Sequence, residues 1–258
     1  MEHEINKTNI QKNFVVSIKS ENVDCSNEEI DSAFIKRVES VFNDIDSFGR
    51  FCNYRYYWVK GKNSESKVLS KLFSATSEES ARKKAIEAGI SEPYEMSSKE
   101  LDYPTERQLK FLQNLKIEIP VGCTKDDVST ILTRVLDYEG DKDPSPEFIK
   151  YAQDINVCFS YFTGEHELLG CICSQVSEKD MAILYAYAIK LSRTSNATFK
   201  DPRSDPDFSA FECFAEKVKE KSDIRKSLYE RTLYDYLNPN GRSKANRAVI
   251  ECLANPKA

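Results

Sequence analysis

Residues 104–132 read PTERQLKFLQNLKIEIPVGCTKDDVSTIL, and this stretch decides what kind of fold to expect. Thr105 with Gln108, and Thr124 with Asp127, have the spacing of capping boxes, where a hydroxyl and a side-chain acceptor three residues on satisfy each other's free backbone N–H groups at a helix start. Each box opens an apolar pattern. Leu109, Leu112 and Leu115 follow the first, and Val128, Ile131, Leu132 and Val135 follow the second, all at near-helical spacing. Between them Ile117 and Ile119 alternate with Glu118 as in an extended segment, and Pro120 and Gly122 then redirect the chain. Two helices of about three turns are too short to be stable alone, so they are expected to pack on each other across a rigid connector.

The run Thr105-Glu106-Arg107-Gln108-Leu109, then Ile117-Glu118-Ile119-Pro120, Gly122 and Thr124-Lys125-Asp126-Asp127-Val128-Ser129, resembles the SAP-like helix-extension-helix module. The likeness is to its Thr-Glu-(Lys/Arg)-Gln version, found in bacterial and phage-encoded proteins, many of which handle DNA. It covers about 32 residues, 104–136. Lys116 departs from the pattern, standing where relatives often have glycine after the first helix. The resemblance implies binding without chemistry, to DNA or to a protein partner. If to DNA, Arg107, Lys110, Lys116 and Lys125 would meet phosphates. The segment's net charge is only weakly positive, and Asp126 and Asp127 would face the phosphates too.

Working outward, the N-terminal side reads as a small α/β domain over residues 1–100. A strand is expected at 13–19 and a helix at 26–46, opened by the Ser26–Glu29 box. Tyr54–Val59 and Val68–Phe73 read as strands joined by a turn at Gly61-Lys62-Asn63. Thr76 with Glu79 then caps a helix ending at Gly89, and 92–96 returns as a strand. On the other side, Gly and Pro near 138–146 mark a linker, and helices are expected at 146–155, 177–192, 205–221, 223–237 and 242–253 around an aromatic core that includes Tyr185, Phe211, Tyr234 and Tyr236. The expected architecture is α+β and predominantly helical: a small α/β domain at 1–100, the helix-extension-helix at 104–138 and an all-α domain at 145–258. No internal repeat is evident in the residues.

Composition removes several functions. The 8 glycines among 258 residues stand too far apart to write G-x-G-x-x-G or G-x-x-x-x-G-K-[ST]. With only His3 and His166, H-E-x-x-H is absent and one histidine remains as a plausible base. The charged N-terminus lacks the apolar core of a signal peptide, and the longest apolar run is short and bounded by Asp180 and Lys190. A soluble, cytoplasmic protein with no membrane contact is expected, its 8 cysteines reduced and acting as small hydrophobes. The net charge is -5. Residues 50–85 nevertheless carry nine Lys/Arg against three Glu, so charge is segregated along the chain.

The candidate nucleic-acid contacts are therefore Arg50, Arg55, Tyr56, Trp58, Lys60, Lys62, Lys67 and Lys71, with Arg107, Lys110, Lys116 and Lys125. Strand periodicity puts Tyr54, Tyr56 and Trp58 on one face and Arg55, Tyr57 and Val59 on the other, a pattern suited to base stacking beside lysines or to packing under a helix. Cys158, His166, Cys171 and Cys173 could supply zinc ligands, but C-x7-H-x4-C-x-C lacks the C-x2-C turn that makes two sulfurs converge. No catalytic residue is assigned to His166 or its neighbouring cysteines, and neither cofactor nor small-molecule substrate is expected. Arg242, Lys244 and Arg247 read mainly as solvated charge on a last helix. The expected function is a non-enzymatic accessory protein that binds DNA or a nucleoprotein through its first two modules while the helical domain contacts another protein, of bacterial or mobile-element origin in replication, recombination, defence or anti-defence; the expected partners are DNA or RNA and a protein. The alternative is a protein–protein adaptor or inhibitor without nucleic-acid contact.

Overall fold

A computed structural model describes residues 51–136, 142–194, 197–229 and 243–255. The expected strand at 13–19 and helix at 26–46, Arg50, Tyr234, Tyr236 and Arg242 lie outside the described residues. The chain divides into two compact units, Met1–Asp143 with Phe159–Thr163, and Pro144–Cys158 with Gly164–Ala258. The fold is α+β and predominantly helical.

The described part of the first unit opens on β1 (Arg55–Lys62), β2 (Val68–Ala75), α1 (Glu78–Glu87) and β3 (Ser91–Lys99). The strands form an antiparallel sheet in the order β2-β1-β3, with β1 in the centre. Side chains alternate across the sheet, and α1 covers one face only. On that face Tyr57, Val59 and Ala75 are buried with Ala81, Ala85 and Ile90, while Phe73, Tyr94 and Met96 pack around them. The helix begins one residue later than expected, because the Ser77 hydroxyl accepts from the Ser80 N–H at 3.1 Å and so serves as the N-cap in place of Thr76.

Gly61 is not in the turn. It pairs with Leu69 inside the β1–β2 ladder, and the connection is made by Asn63, whose side-chain oxygen accepts from the Glu65 and Lys67 N–H groups. A Cβ at Gly61 would meet Ile90 Cγ2 at 2.6 Å and the Ser91 carbonyl at 2.7 Å, so this glycine permits a close approach of β1 to the start of β3.

The second part of this unit is α2 (Glu106–Asn114), an extended connector and α3 (Lys125–Leu136). Both capping boxes form as their spacing predicts. Leu112, Ile117, Cys123, Val128, Ile131 and Val135 bury together with Phe162, a residue supplied from the Phe159–Thr163 segment. Leu109, expected on the packed face, is 45% exposed. Helix α2 ends on Lys116 at φ +54°, with the Lys116 N–H bonded to the Gln113 carbonyl and the Ile117 N–H to that of Leu112. The chain makes the left-handed stop usually given to glycine and keeps a lysine there.

The second unit contains α4 (Pro146–Asp154), α5 (Glu165–Gln175), α6 (Glu178–Leu191), α7 (Phe208–Glu220), α8 (Ser222–Tyr229) and α9 (Lys244–Ala254). Every residue of α6 from Ala182 to Ile189 is buried, as befits a central helix, with α7 and α9 packed on it. Its aromatic side chains meet Phe214 and Phe211 of α7, with ring centroids 5.8 Å apart for Tyr185–Phe214 and 5.7 Å for Tyr187–Phe211.

An internal repeat is present after all. The N-caps Thr105 and Ser145, the left-handed stops Lys116 and Asn156, and the first residues of the following helices, Lys125 and Glu165, keep one constant spacing of 40 residues. Asn156 ends α4 as Lys116 ends α2, its N–H bonded to the Gln153 carbonyl and that of Val157 to the Ala152 carbonyl. Pro104/Pro144, Lys110/Lys150 and Gln113/Gln153 are identical pairs in otherwise unlike sequences.

Two glycine substitutions separate conformation from space. Gly89→Ala meets no atom within 4 Å but must hold φ +79°, and is expected to cost about 1 kcal/mol. Gly61→Ala meets backbone and is expected to cost about 2–3 kcal/mol. Urea midpoints of the two variants should fall in that order.

Candidate functional site

The most demanding chemistry in the first unit surrounds Asp127, in the first turn of α3. Its carboxylate is fully buried and accepts four hydrogen bonds: from the Thr124 N–H at 2.8 Å and hydroxyl at 2.7 Å, the Ser160 hydroxyl at 2.6 Å and the Cys52 thiol at 3.1 Å. Cys52 lies just before β1 and pairs with Ser160 in an antiparallel bridge. On one side Asn53 donates to the Phe159 carbonyl at 3.1 Å, and on the other Tyr161 donates to that of Phe51 at 2.6 Å. Burial first, and Asp127 beside it, push the Cys52 thiol far above its ordinary range, so it stays protonated and donates.

The neighbouring Asp126 carboxylate accepts from the Tyr54 hydroxyl at 2.7 Å and the Tyr56 hydroxyl at 3.1 Å. Burial and this carboxylate hold the Tyr56 phenol up at about 12 and drive the Tyr54 phenol higher still, so both remain donors. The expectation that Asp126 and Asp127 would confront phosphates is therefore corrected. One is buried and the other is occupied by two tyrosines, an arrangement favoured by the partial positive charge at the helix N-terminus.

These bonds fix the sheet to α3 at the Tyr56 end of the face opposite α1, and farther along that face Trp58, Lys60 and Lys62 are exposed. Trp58 on the central strand is 45% exposed, and its register neighbours are Leu72 on β2 and Ser97 on β3. Along the same face Tyr56 lies beside Ser74 and Lys99, Lys60 beside Ser70 and Glu95, and Lys62 beside Val68. Lys60 pairs with Glu95 at 2.8 Å. The Lys99 ammonium stands 5.8 Å from the centre of the Tyr56 ring and pairs with Asp102. Lys62 is exposed, with no ion-pair partner among the described residues.

Other expected contacts are distributed elsewhere. Arg55 and Lys71 fall in register with Ala75 and Val59 on the α1 side, and Arg55 pairs with Glu100 at 2.9 Å. They do not join Trp58, because strand alternation turns them away from it. Lys67 sits at the turn, paired with Glu65. Arg107 and Lys110 line a shallow groove on α2 with Phe111, Asn114 and Leu132. Lys125 opens α3, where its N–H donates to the Asp102 carbonyl and its own carbonyl accepts from the Gln108 amide. Lys116 is exposed at the end of α2. Lys99 was not singled out in the sequence. The strand expected there stops at 96, and only the longer β3, with its register to β1, brings Lys99 beside Tyr56.

In the second unit Cys171 and Cys173 lie on α5 two residues apart, where helical geometry makes their side chains diverge, and His166 is exposed in its first turn. Burial pushes the Cys171 thiol up to about 11 and that of Cys173 to about 12, and Cys158 is buried. Among the described residues no group of three His, Cys, Asp or Glu is placed to hold a metal ion. Lys244 pairs with Asp223 at 3.1 Å, and Arg247 is exposed. Among the described residues no helix is long and apolar enough to cross a membrane.

Comparison with known proteins returns no match: none among family models, none among curated proteins and none among solved structures.

The Asp127 network predicts a large effect. Removing the carboxylate in Asp127→Ala strands four buried or half-buried donor groups and is expected to cost about 3–5 kcal/mol. Asp127→Asn keeps the shape but turns an amide donor toward other donors, and should cost about 2–3 kcal/mol. Thermal and urea unfolding of the two variants provide the check.

Proposed function

We propose that this protein acts by binding, not by catalysis, and that its first unit recognises nucleic acid, either free DNA or RNA or that of a nucleoprotein. The observation that carries this reading is the sheet face opposite α1, which is exposed at Trp58, Lys60 and Lys62. A half-exposed tryptophan on the central strand is flanked by Lys60, Lys62 and Lys99, and the sheet is bonded through Tyr54 and Tyr56 to a helix that begins with exposed Lys125.

The repeat adds an internal comparison. Where the first copy has Arg107, Lys110, Lys116 and Lys125, the second has Glu147, Lys150, Asn156 and Glu165. Only the first copy has the charge a polyanion would select. The resemblance of 104–136 to the SAP-like module points the same way and suggests a bacterial or mobile-element setting. A second reading, a protein-docking adaptor, draws on Leu109 and Phe111, both more than two-fifths exposed on α2.

Fluorescence anisotropy with labelled single- and double-stranded oligonucleotides over a salt series tests the proposal. Affinity is expected to fall linearly on a log–log plot. Charge reversal of Lys60, Lys62 and Lys99 together should make the slope shallower by about 2 if each lysine meets a phosphate. Absence of binding at low salt would overturn the reading and favour the adaptor.

A further inference from the structure

The exposed sheet face can be carried one step further, to the kind of nucleic acid it takes; this step rests on the proposal above. We infer that the face binds single-stranded nucleic acid, with one unpaired base stacked on the Trp58 indole and the flanking phosphates held by Lys60, Lys62 and Lys99. In a duplex each base face is already stacked on its neighbours, so a ring exposed on a sheet can engage only a base that has left the stack.

The surroundings of Trp58 suit stacking. Its neighbour on β3 is the small Ser97, and its neighbour on β2 is Leu72, which extends the apolar platform and is flanked along that strand by Ser70 and Ser74, small groups that leave the ring accessible. Helix α1 lies on the other face, where Tyr57 and Val59 are consumed in the core. Base-specific readout rests mainly on planar groups that bond in pairs, Asn or Gln with adenine and Arg with guanine, whereas lysine is a flexible point charge and serine pairs with any base. The face offers lysine and serine instead, so recognition should tolerate any sequence. The lysines follow Trp58 along β1 at successive same-face positions, about 7 Å apart, and Lys99 lies across the ladder from Tyr56. Charge complementarity with a phosphate backbone is thus arranged along the strand direction, with Glu95, paired with Lys60, and Asp102, paired with Lys99, as the opposing charges that phosphate would have to compete with.

Trp58 is the only tryptophan in the chain, so tryptophan emission reports this one ring. The experiment titrates the full-length protein with oligodeoxyuridylate, with oligouridylate, which differs from it in the sugar alone, and with a duplex of equal length. It follows emission under tryptophan-selective excitation and, in parallel, anisotropy of end-labelled strands. Saturable quenching by the single strands, with the duplex binding more weakly and leaving emission unchanged, is the expected result, and the preferred single strand identifies the sugar. Trp58→Ala should weaken single-strand binding roughly tenfold to a hundredfold, while Trp58→Phe, which keeps a stacking ring, should stay closer to the parent protein. Circular dichroism of both variants should match the parent, since the ring is not part of the core cluster on the α1 face.

Single-strand binding that leaves emission unchanged, or an alanine variant of undiminished affinity, overturns this inference. If the duplex binds and Trp58 is a spectator, the inference fails and the broader proposal stands. If neither form binds at low salt, both fall.

Discussion

Asp127 is the constraint on which the first unit depends. A buried carboxylate is tolerable only when its lone pairs are taken, and here they are taken by groups from three separate stretches of chain: the segment before β1, the start of α3 and the Phe159–Thr163 segment. Satisfying that charge therefore fixes tertiary structure as well as capping a helix. The adjacent Asp126 extends the same helix start to the sheet through Tyr54 and Tyr56, so two consecutive acidic residues hold the sheet and the helix pair in one unit. What composition presents as negative charge competing with phosphate is, in the folded chain, internal mortar.

Local signals were legible where their physics is local. Capping boxes depend on residues three apart, and both the Thr105–Gln108 and Thr124–Asp127 pairs form. The strand alternation that separates Tyr56 and Trp58 from Tyr57 and Val59 was equally readable, since it follows from the pleat alone. Thr76 and Ser77 show the limit: two hydroxyl residues stand side by side, both can cap, and it is Ser77 that does. Gly61 lies further still from local inference, because its need for glycine comes from Ile90 and Ser91, some thirty residues on.

The repeat was illegible for a related reason. Its two copies preserve positions, not residues: Lys116 and Asn156 share a left-handed backbone, Thr105 and Ser145 a hydroxyl, Leu112 and Ala152 a buried site. Backbone requirements admit several side chains, so the pattern survives in geometry after most identities have gone. The site was partly legible. Trp58, Lys60 and Lys62 fell on one face and Arg55 on the other as alternation required, whereas Lys99 needed the β1–β3 register and Lys71 the β1–β2 register.

The Phe162 ring sits in the core of the helix pair 106–136, 2% exposed and 5.2 Å from the ring of Phe51, yet it arrives from beyond α4. A gene fragment ending at Asp143 would carry the whole of that pair in sequence and still lack Phe162 from its core and Ser160 from the Asp127 network. The unit of exchange in this chain is consequently not the segment that looks modular on paper. Recombination that transplanted residues 104–136 into another protein would have to bring along a substitute for a five-residue patch encoded elsewhere, which ties the inheritance of the helix pair to that of the chain downstream.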